Sequence, residues 1–327
     1  GAAGVIAGVT ALAALMDIGW RPEGDVSVMG IRAEESAWFG VSYIGSRSAL
    51  GTLPDGALDD ARRADSGRTL ADHMAELGCD PETVRSGPPY LEPSSLRAYL
   101  ELHIEQGPVL EDRKIPVGIV TGIRGNMRVP KARCVGEYSH CGGVPRTHRR
   151  DAAIAVSELV MGLDRIWDEC EAQGRDFAFT VGKMATDAKR HAMTIIAGEV
   201  DFSVDMRSLD IAFLDEMEAR IQEMALEIAE KRRVRFDLGR FTRAAPGILD
   251  EGIKARLREG VAALDIPAMD IPSGASHDAA AFAAAGVPTA MIFVRNANGS
   301  HNPDEAMEID DFMKGVELLA WYLANPA

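Results

Sequence analysis

Short apolar runs that each stop at polar, chemistry-capable residues constrain this chain more than any other feature. Val26 to Ile31 (VSVMGI) stops at Arg32, Glu34 and Glu35, and Tyr99 to Ile104 (YLELHI) carries His103 and stops at Glu105 and Gln106. Thr289 to Val294 (TAMIFV) is followed by Ser300, His301, Asn302 and Pro303. Apolar runs of this length, rich in β-branched residues, read as buried strands. Open α/β sheets place their ligand groups just beyond the C-terminal ends of such strands.

Between the second and third runs the pattern changes. Strand-like segments Asn126 to Glu137, Phe177 to Met184, Thr194 to Arg207 and Val234 to Leu238 alternate with amphipathic helices Asp151 to Glu171 and Ala212 to Lys231. Gly198 marks a turn or bulge in the third of these strands. The order β-α-β-β-α-β describes a compact sheet with two helices on one face, a domain in its own right. The expected fold is therefore α/β: a mixed-sheet catalytic domain formed by residues 1–120 and 240–327, with an inserted α+β domain over 121–239. Residues 52–98, rich in Asp, Gly, Ser and Pro, read as a long decorated connection containing helical pieces such as Gly67 to Leu77. Gly1 to Leu15 has helix-like apolar spacing but neither a preceding strand nor an N-cap residue, which suggests that the natural beginning lies upstream.

Composition excludes several classes. Fifty acidic against 35 basic residues give a formal charge of -15, which repels polyanions and argues against nucleic acid as a partner. No apolar stretch reaches the roughly 20 residues needed to cross a bilayer, and no signal segment opens the chain. The four cysteines lack paired zinc-finger spacing, and a chain of 327 residues needs no disulfides for stability. The expected setting is the cytoplasm.

Several polar groups could carry chemistry. Adjacent carboxylates such as Glu34 and Glu35 at a strand end can divide the work, one binding a metal while the other moves protons. His103 is a candidate imidazole ligand, with a hydrogen-bonded structural role as the alternative. Ser276, His277 and Asp278 superficially resemble a catalytic triad, but sequence neighbours rarely reach triad geometry, and no GxSxG elbow is present. Cys141 beside His140 fails as a nucleophile and base pair for the same reason.

The runs AEESAWFGVSYIGSR (33–47), LELHIEQGPVLE (100–111), RCVGEYSHCGGVPRTHRRDA (133–152), DFSVDMR (201–207), PSGASHDAAAF (272–282) and GSHNPDE (299–305) carry a resemblance over nearly the whole chain. They resemble the M20-type amidohydrolases, in particular the branch of N-carbamoyl-L-amino-acid hydrolase, β-ureidopropionase and allantoate amidohydrolase. The resemblance implies hydrolysis of a linear C–N amide bond in a small carboxylated amide or ureido substrate, with one or two divalent ions (zinc, manganese, cobalt or nickel) per subunit. It casts Glu34 as general acid and base, and Glu35, His103 and His301 as metal ligands. An upstream histidine and bridging aspartate complete the family's set, and their places fall before Gly1. The inserted domain would be the lid and the homodimer contact, with His140 stabilising the oxyanion in the partner's site. Gln106, Thr194, Arg207, Ser276 and His277 would bind substrate, although a strand-end ion pair is the alternative for Arg207. Three positions depart from the family pattern: Thr194 stands for an asparagine, Trp38 for an arginine and Arg146 for a methionine. These departures leave the reaction type in place but loosen the substrate assignment, and a non-catalytic protein that kept the fold is the rival reading.

Overall fold

The computed structural model describes residues 1–326, which divide into two compact units. The first comprises Gly1–Ile123 with the chain from Gly247 onward, and the second Arg124–Pro246. The chain opens with α1 (Ala2–Asp17), followed by short helices α2 (Ile44–Ala49), α3 (Ala57–Asp60), α4 (Leu70–Glu76) and α5 (Pro81–Ser86). Strand β1 (Tyr99–Ile104), α6 (Val109–Arg113) and β2 (Val117–Ile123) lead to the second unit. That unit contributes β3 (Gly125–Val135), β4 (Ser139–His140), α7 (Ala152–Ala172), β5 (Ala178–Thr186), β6 (Ile195–Ile196), β7 (Glu199–Ser208), α8 (Ile211–Arg232), β8 (Arg235–Asp237) and β9 (Thr242–Ala244). The first unit resumes with α9 (Glu251–Ala263), β10 (Ala268–Ser273), α10 (Asp278–Ala284), β11 (Thr289–Val294) and α11 (Ile309–Ala324).

The first unit is built on a mixed sheet in the order β1-β11-β2-β10. β1 runs parallel to β11, β2 antiparallel to β11, and β10 parallel to β2. Both faces are covered, which is why β11 is buried at every position. Ala290, Ile292 and Val294 join the core with Ala7 and Ala11 of α1, Leu257 of α9 and Phe312 of α11. Met291 and Phe293 pack instead with Val120, Ile271 and Ala279 of α10. Ile123 and Gly247 exchange two backbone hydrogen bonds, of 3.0 and 2.9 Å, which tie together the points where the chain leaves and re-enters this unit.

Two local expectations are corrected. Val26 to Ile31 is not a strand; it pairs with no ladder, although Met29 and Ile31 pack beside Leu50 and Phe282. Its apolar run reflects partial burial of Val28, Met29 and Ile31 without pairing. Conversely, Val117–Ile123 (VGIVTGI) is a strand between β11 and β10, where the sequence suggested the approach to a new domain. Its glycines weaken the strand signal but serve packing: a Cβ at Gly118 would lie 2.8 Å from Ile271 Cγ2.

The second unit has the expected β-α-β-β-α-β core, with sheet order β5-β7-β3-β8 and β9 pairing beside β3. The segment read as one strand from Thr194 is two, β6 and β7, broken at Gly198, where a side chain would collide with Tyr138. β7 alternates strictly. Val200, Phe202, Val204 and Met206 are buried with α7 and α8 residues such as Leu159 and Met217, while Asp201 and Asp205 face outward and pair across the ladder with Arg133 and Arg128. Asp151 and Asp210 cap α7 and α8 by accepting backbone N–H groups.

Two outcomes follow from this packing. Gly4 of α1 faces β1 so closely that an added Cβ would lie 2.5 Å from Leu102 O. Gly4→Ala is therefore expected to lower stability by about 1–3 kcal/mol, read from the midpoint of urea unfolding. Cys134 is fully buried, and desolvation pushes its thiol up to about 12. Because the folded protein then holds a proton that the unfolded thiol releases above its ordinary value near 9, this contribution to stability is present below pH ~9 and lost towards pH ~12. Unfolding midpoints measured across that window should fall less steeply in Cys134→Ala than in the parent chain.

Candidate active site

Strand alternation sorts β1 chemically. Leu100 and Leu102 enter the core shared with α1 and α11, so Tyr99, Glu101 and His103 project to the other face, towards α10. Because β1 and β11 are parallel, the loops that leave their C-terminal ends lie side by side. Asn296, only 2% exposed, joins them: its Oδ1 accepts the Gln106 N–H at 3.0 Å, and its Nδ2 donates to Gly299 O at 2.6 Å. Gln106 Nε2 donates in turn to Ser300 Oγ at 3.1 Å. Gln106, Asn298 and His301 all have left-handed backbones, with φ of 64°, 65° and 61°, and Ala33 and Tyr43 on either side of the glutamate pair do the same at 56° and 61°. Such conformations persist only where surrounding bonds hold them, and they gather at functional sites.

A cavity of about 540 Å³ opens among these loops, lined by Gly1, Glu35, His103, Gln106, Ser300, His301, Asn302 and Glu305 among others. Glu35, His103 and His301, the three expected metal ligands, thus line one cavity with Gln106. His301 Nε2 and Glu35 Oε1 are 3.0 Å apart and both side chains are exposed. His103 is half-buried, and burial holds its imidazole below the ordinary range. Its Nδ1 lies 2.9 Å from Ile104 O, and because a carbonyl can only accept, the proton sits on Nδ1 and Nε2 keeps its lone pair. A backbone bond of this kind is how proteins orient ligating imidazoles. One carboxylate and two imidazoles suit a divalent ion in donor chemistry. Among the described residues, however, no three His, Cys, Asp or Glu side chains converge closely enough to hold one. The fit is therefore chemical, with only Glu35 and His301 drawn together.

Glu34 belongs to an adjoining acidic group. Burial first, then the neighbouring charges of Glu35, Asp278 and Glu101, push its carboxyl up to about 7. Glu101 is also raised to about 7 by burial, against the Ala279 N–H and Tyr99 O–H that bond its Oε2 at 2.8 and 3.2 Å. Asp278 accepts a 2.5 Å hydrogen bond from Ser46. His277 is 2% exposed and stacks edge-on against His103, with ring centroids 4.7 Å apart. Ser273 donates to Ala275 O, so its Oγ accepts from His277 Nε2 at 2.8 Å, and burial keeps this imidazole neutral, down to about 3. His277 thus supports His103 from the interior and does not line the cavity, whereas Ser276 is exposed and bonds Tyr43.

The remaining expected site residues lie in the second unit. His140 and Thr194 are neighbours: β4 pairs with β6, and the Cys141 N–H donates to Thr194 O at 2.9 Å. Arg207 makes a two-pronged ion pair with Asp205, at 3.0 and 3.2 Å, and Asp205 also accepts from Arg128 at 2.7 Å. Sequence reasoning missed Glu101, Ser46 and Asn296. The two-residue spacing from Glu101 to His103 could have revealed the first; nothing local marks the other two.

The chain matches the model of Peptidase family M20/M25/M40 over residues 1–325. It is 35% identical to the N-carbamoyl-L-amino acid amidohydrolase of Geobacillus stearothermophilus, over 99% of this chain and 78% of that protein. It is 32% identical to the N-carbamoyl-L-amino-acid amidohydrolase of Paenarthrobacter aurescens, over 98% of this chain and 75% of that protein. Among solved structures, an amidase of the hydantoinase/carbamoylase family from Burkholderia multivorans superposes with a TM-score of 0.86 at 28% identity, covering 99% of this chain and 75% of that one.

Asn296→Ala would strand the Gln106 N–H and the Gly299 carbonyl together. The expected cost is about 1–3 kcal/mol of stability, with faster amide hydrogen exchange at Gln106. Unchanged exchange there would show that the two loops do not depend on this side chain.

Proposed function

Because the chain belongs to the M20/M25/M40 peptidase family, we propose that this amidohydrolase cleaves the carbamoyl C–N bond of an N-carbamoyl-L-amino acid. The observation that carries the reading is the gathering of Glu35, His103, Gln106 and His301 around one polar cavity, with the half-buried Glu34 next in sequence. Glu34 takes a proton from the attacking water and delivers it to the departing nitrogen. A carboxyl held near neutrality can do both, since it neither binds its proton too tightly nor releases it for good. The C–N bond breaks as the nitrogen is protonated, and the released carbamate decomposes to carbon dioxide and ammonia. Gln106, braced by Asn296 and Ser300, offers an amide to the scissile group.

The reading includes a divalent ion, zinc, manganese, cobalt or nickel, held through Glu35, His103 and His301. When bound, it would supply polarisation of the substrate carbonyl. His140 of a second copy of the chain would donate to the developing oxyanion, with a homodimer formed through the inserted unit. Arg207 would take the substrate carboxylate by exchanging its Asp205 partner, a geometry to which a guanidinium is suited. Thr194 and Ser276 complete the polar surroundings. Thr194 offers one hydroxyl where the family pattern has an amide's paired donor and acceptor, which loosens the substrate assignment and keeps allantoate, another ureido acid or an N-acyl amino acid as the alternative substrates.

Turnover of N-carbamoyl-L-amino acids, allantoate and N-acetyl amino acids, compared on metal-supplemented protein, tests the reading. Preferential ammonia release from the first is expected, and Glu34→Gln should lower kcat by about 100- to 10,000-fold. Absence of turnover with all three, together with no bound metal by elemental analysis, would favour a non-catalytic protein on the same fold.

A further inference from the structure

The turn after His140 determines which ring nitrogen of that histidine bears its proton. The backbone N–H groups of Gly142 and Gly143 both point at His140 Nδ1, each at 3.1 Å, the second also shared with His140 O at 3.3 Å. Amide N–H groups can only donate, so Nδ1 must present its lone pair, and the neutral ring carries its hydrogen on Nε2. The ring is exposed, and β4 is anchored on β6 by the His140 to Ile195 pairing.

Arg149 supplies the frame. It is half-buried, and its Nη2 donates to Cys141 O while its Nε donates to Val144 O at 2.9 Å. These carbonyls bracket the two glycines. Among the described residues Arg149 forms no ion pair with a carboxylate, and its guanidinium is given to these two carbonyls. The Cys141 carbonyl and the Gly142 N–H belong to one planar trans peptide and therefore point in opposite directions. Turning that carbonyl towards Arg149 aims the Gly142 N–H away from it, at the imidazole. The turn is closed behind them by the Glu137 N–H on Arg150 O at 2.8 Å.

We propose that Arg149 is a positioning residue that, through the Gly142 and Gly143 amides, fixes His140 as a neutral Nε2–H hydrogen-bond donor. The inference rests on the role proposed above for His140. A ring fixed in this form meets a developing oxyanion with a preoriented N–H and needs no tautomer exchange during the reaction. Nδ1 is correspondingly unavailable as a proton acceptor in catalysis.

Long-range proton–nitrogen correlation spectra of the full chain, recorded without substrate above the imidazole titration range, test the tautomer directly. The His140 signals are identified by their loss in His140→Gln. The parent protein should show the Nε2–H form alone at this residue. In Arg149→Met the signals should move towards a mixture of tautomers, and kcat should fall about tenfold with KM changed less than about twofold. Arg149→Lys, which keeps the charge but cannot bridge two carbonyls, should fall between, and decides the matter if the methionine variant does not fold. A mixed or Nδ1–H tautomer in the parent, or a folded Arg149 variant with parental tautomer and kcat, overturns the proposal. Since the spectrum needs no turnover, its outcome is separable from failure of the hydrolase reading itself.

Discussion

The parallel pairing of β1 with β11 is the constraint on which the first unit depends. Its register sets His103 opposite Phe293 and Ile104 opposite Val294, so both strands end at the same level. From that level one chain turns into Gln106 and the other towards His301. The sheet can hold this edge only because Leu102 and Val294 are buried under α1 and α11. Apolar burial on one face thus supports the polar arrangement on the other, and Asn296 converts two adjacent loop ends into one connected rim.

The electrostatics of the rim and of the acidic group adjoining it follow from how far each side chain is withdrawn from water. Glu34 and Glu101 lie close enough to other carboxyls, and far enough from solvent, to hold protons near neutrality. His103 and His277 are pushed the opposite way and remain neutral. Protons held on buried carboxyls limit the repulsion that neighbouring acids would otherwise create.

Much of this was legible in the sequence, for reasons that differ by residue. β11 announces itself because a strand buried on both faces is apolar throughout. The β-α-β-β-α-β order could be read because β7 alternates and α7 and α8 start at aspartate caps. Glu35, His103 and His301 stand out in the sequence because they sit in recognisable motifs, and the structure sets all three around one cavity. β2 carries a weak strand signal because of the glycines that let it nest against Ile271 and Phe293, and Val26 to Ile31 reads as a strand because partial burial leaves an apolar trace even without pairing. Asn296 and Ser46 act through partners distant in sequence, 190 and 232 residues away, a relation that no local pattern encodes.

The paired hydrogen bonds between Ile123 and Gly247 bear on how such a chain can diversify. They hold the ends of the interrupting segment at one closed waist within the first unit, so closing the chain there costs little more when the segment lengthens. A module bounded in this way can be enlarged, shortened or exchanged during descent while the host sheet keeps its register. The two units are thereby free to evolve at different rates, the host under the demands of its strand ends and the guest under those of whatever it meets.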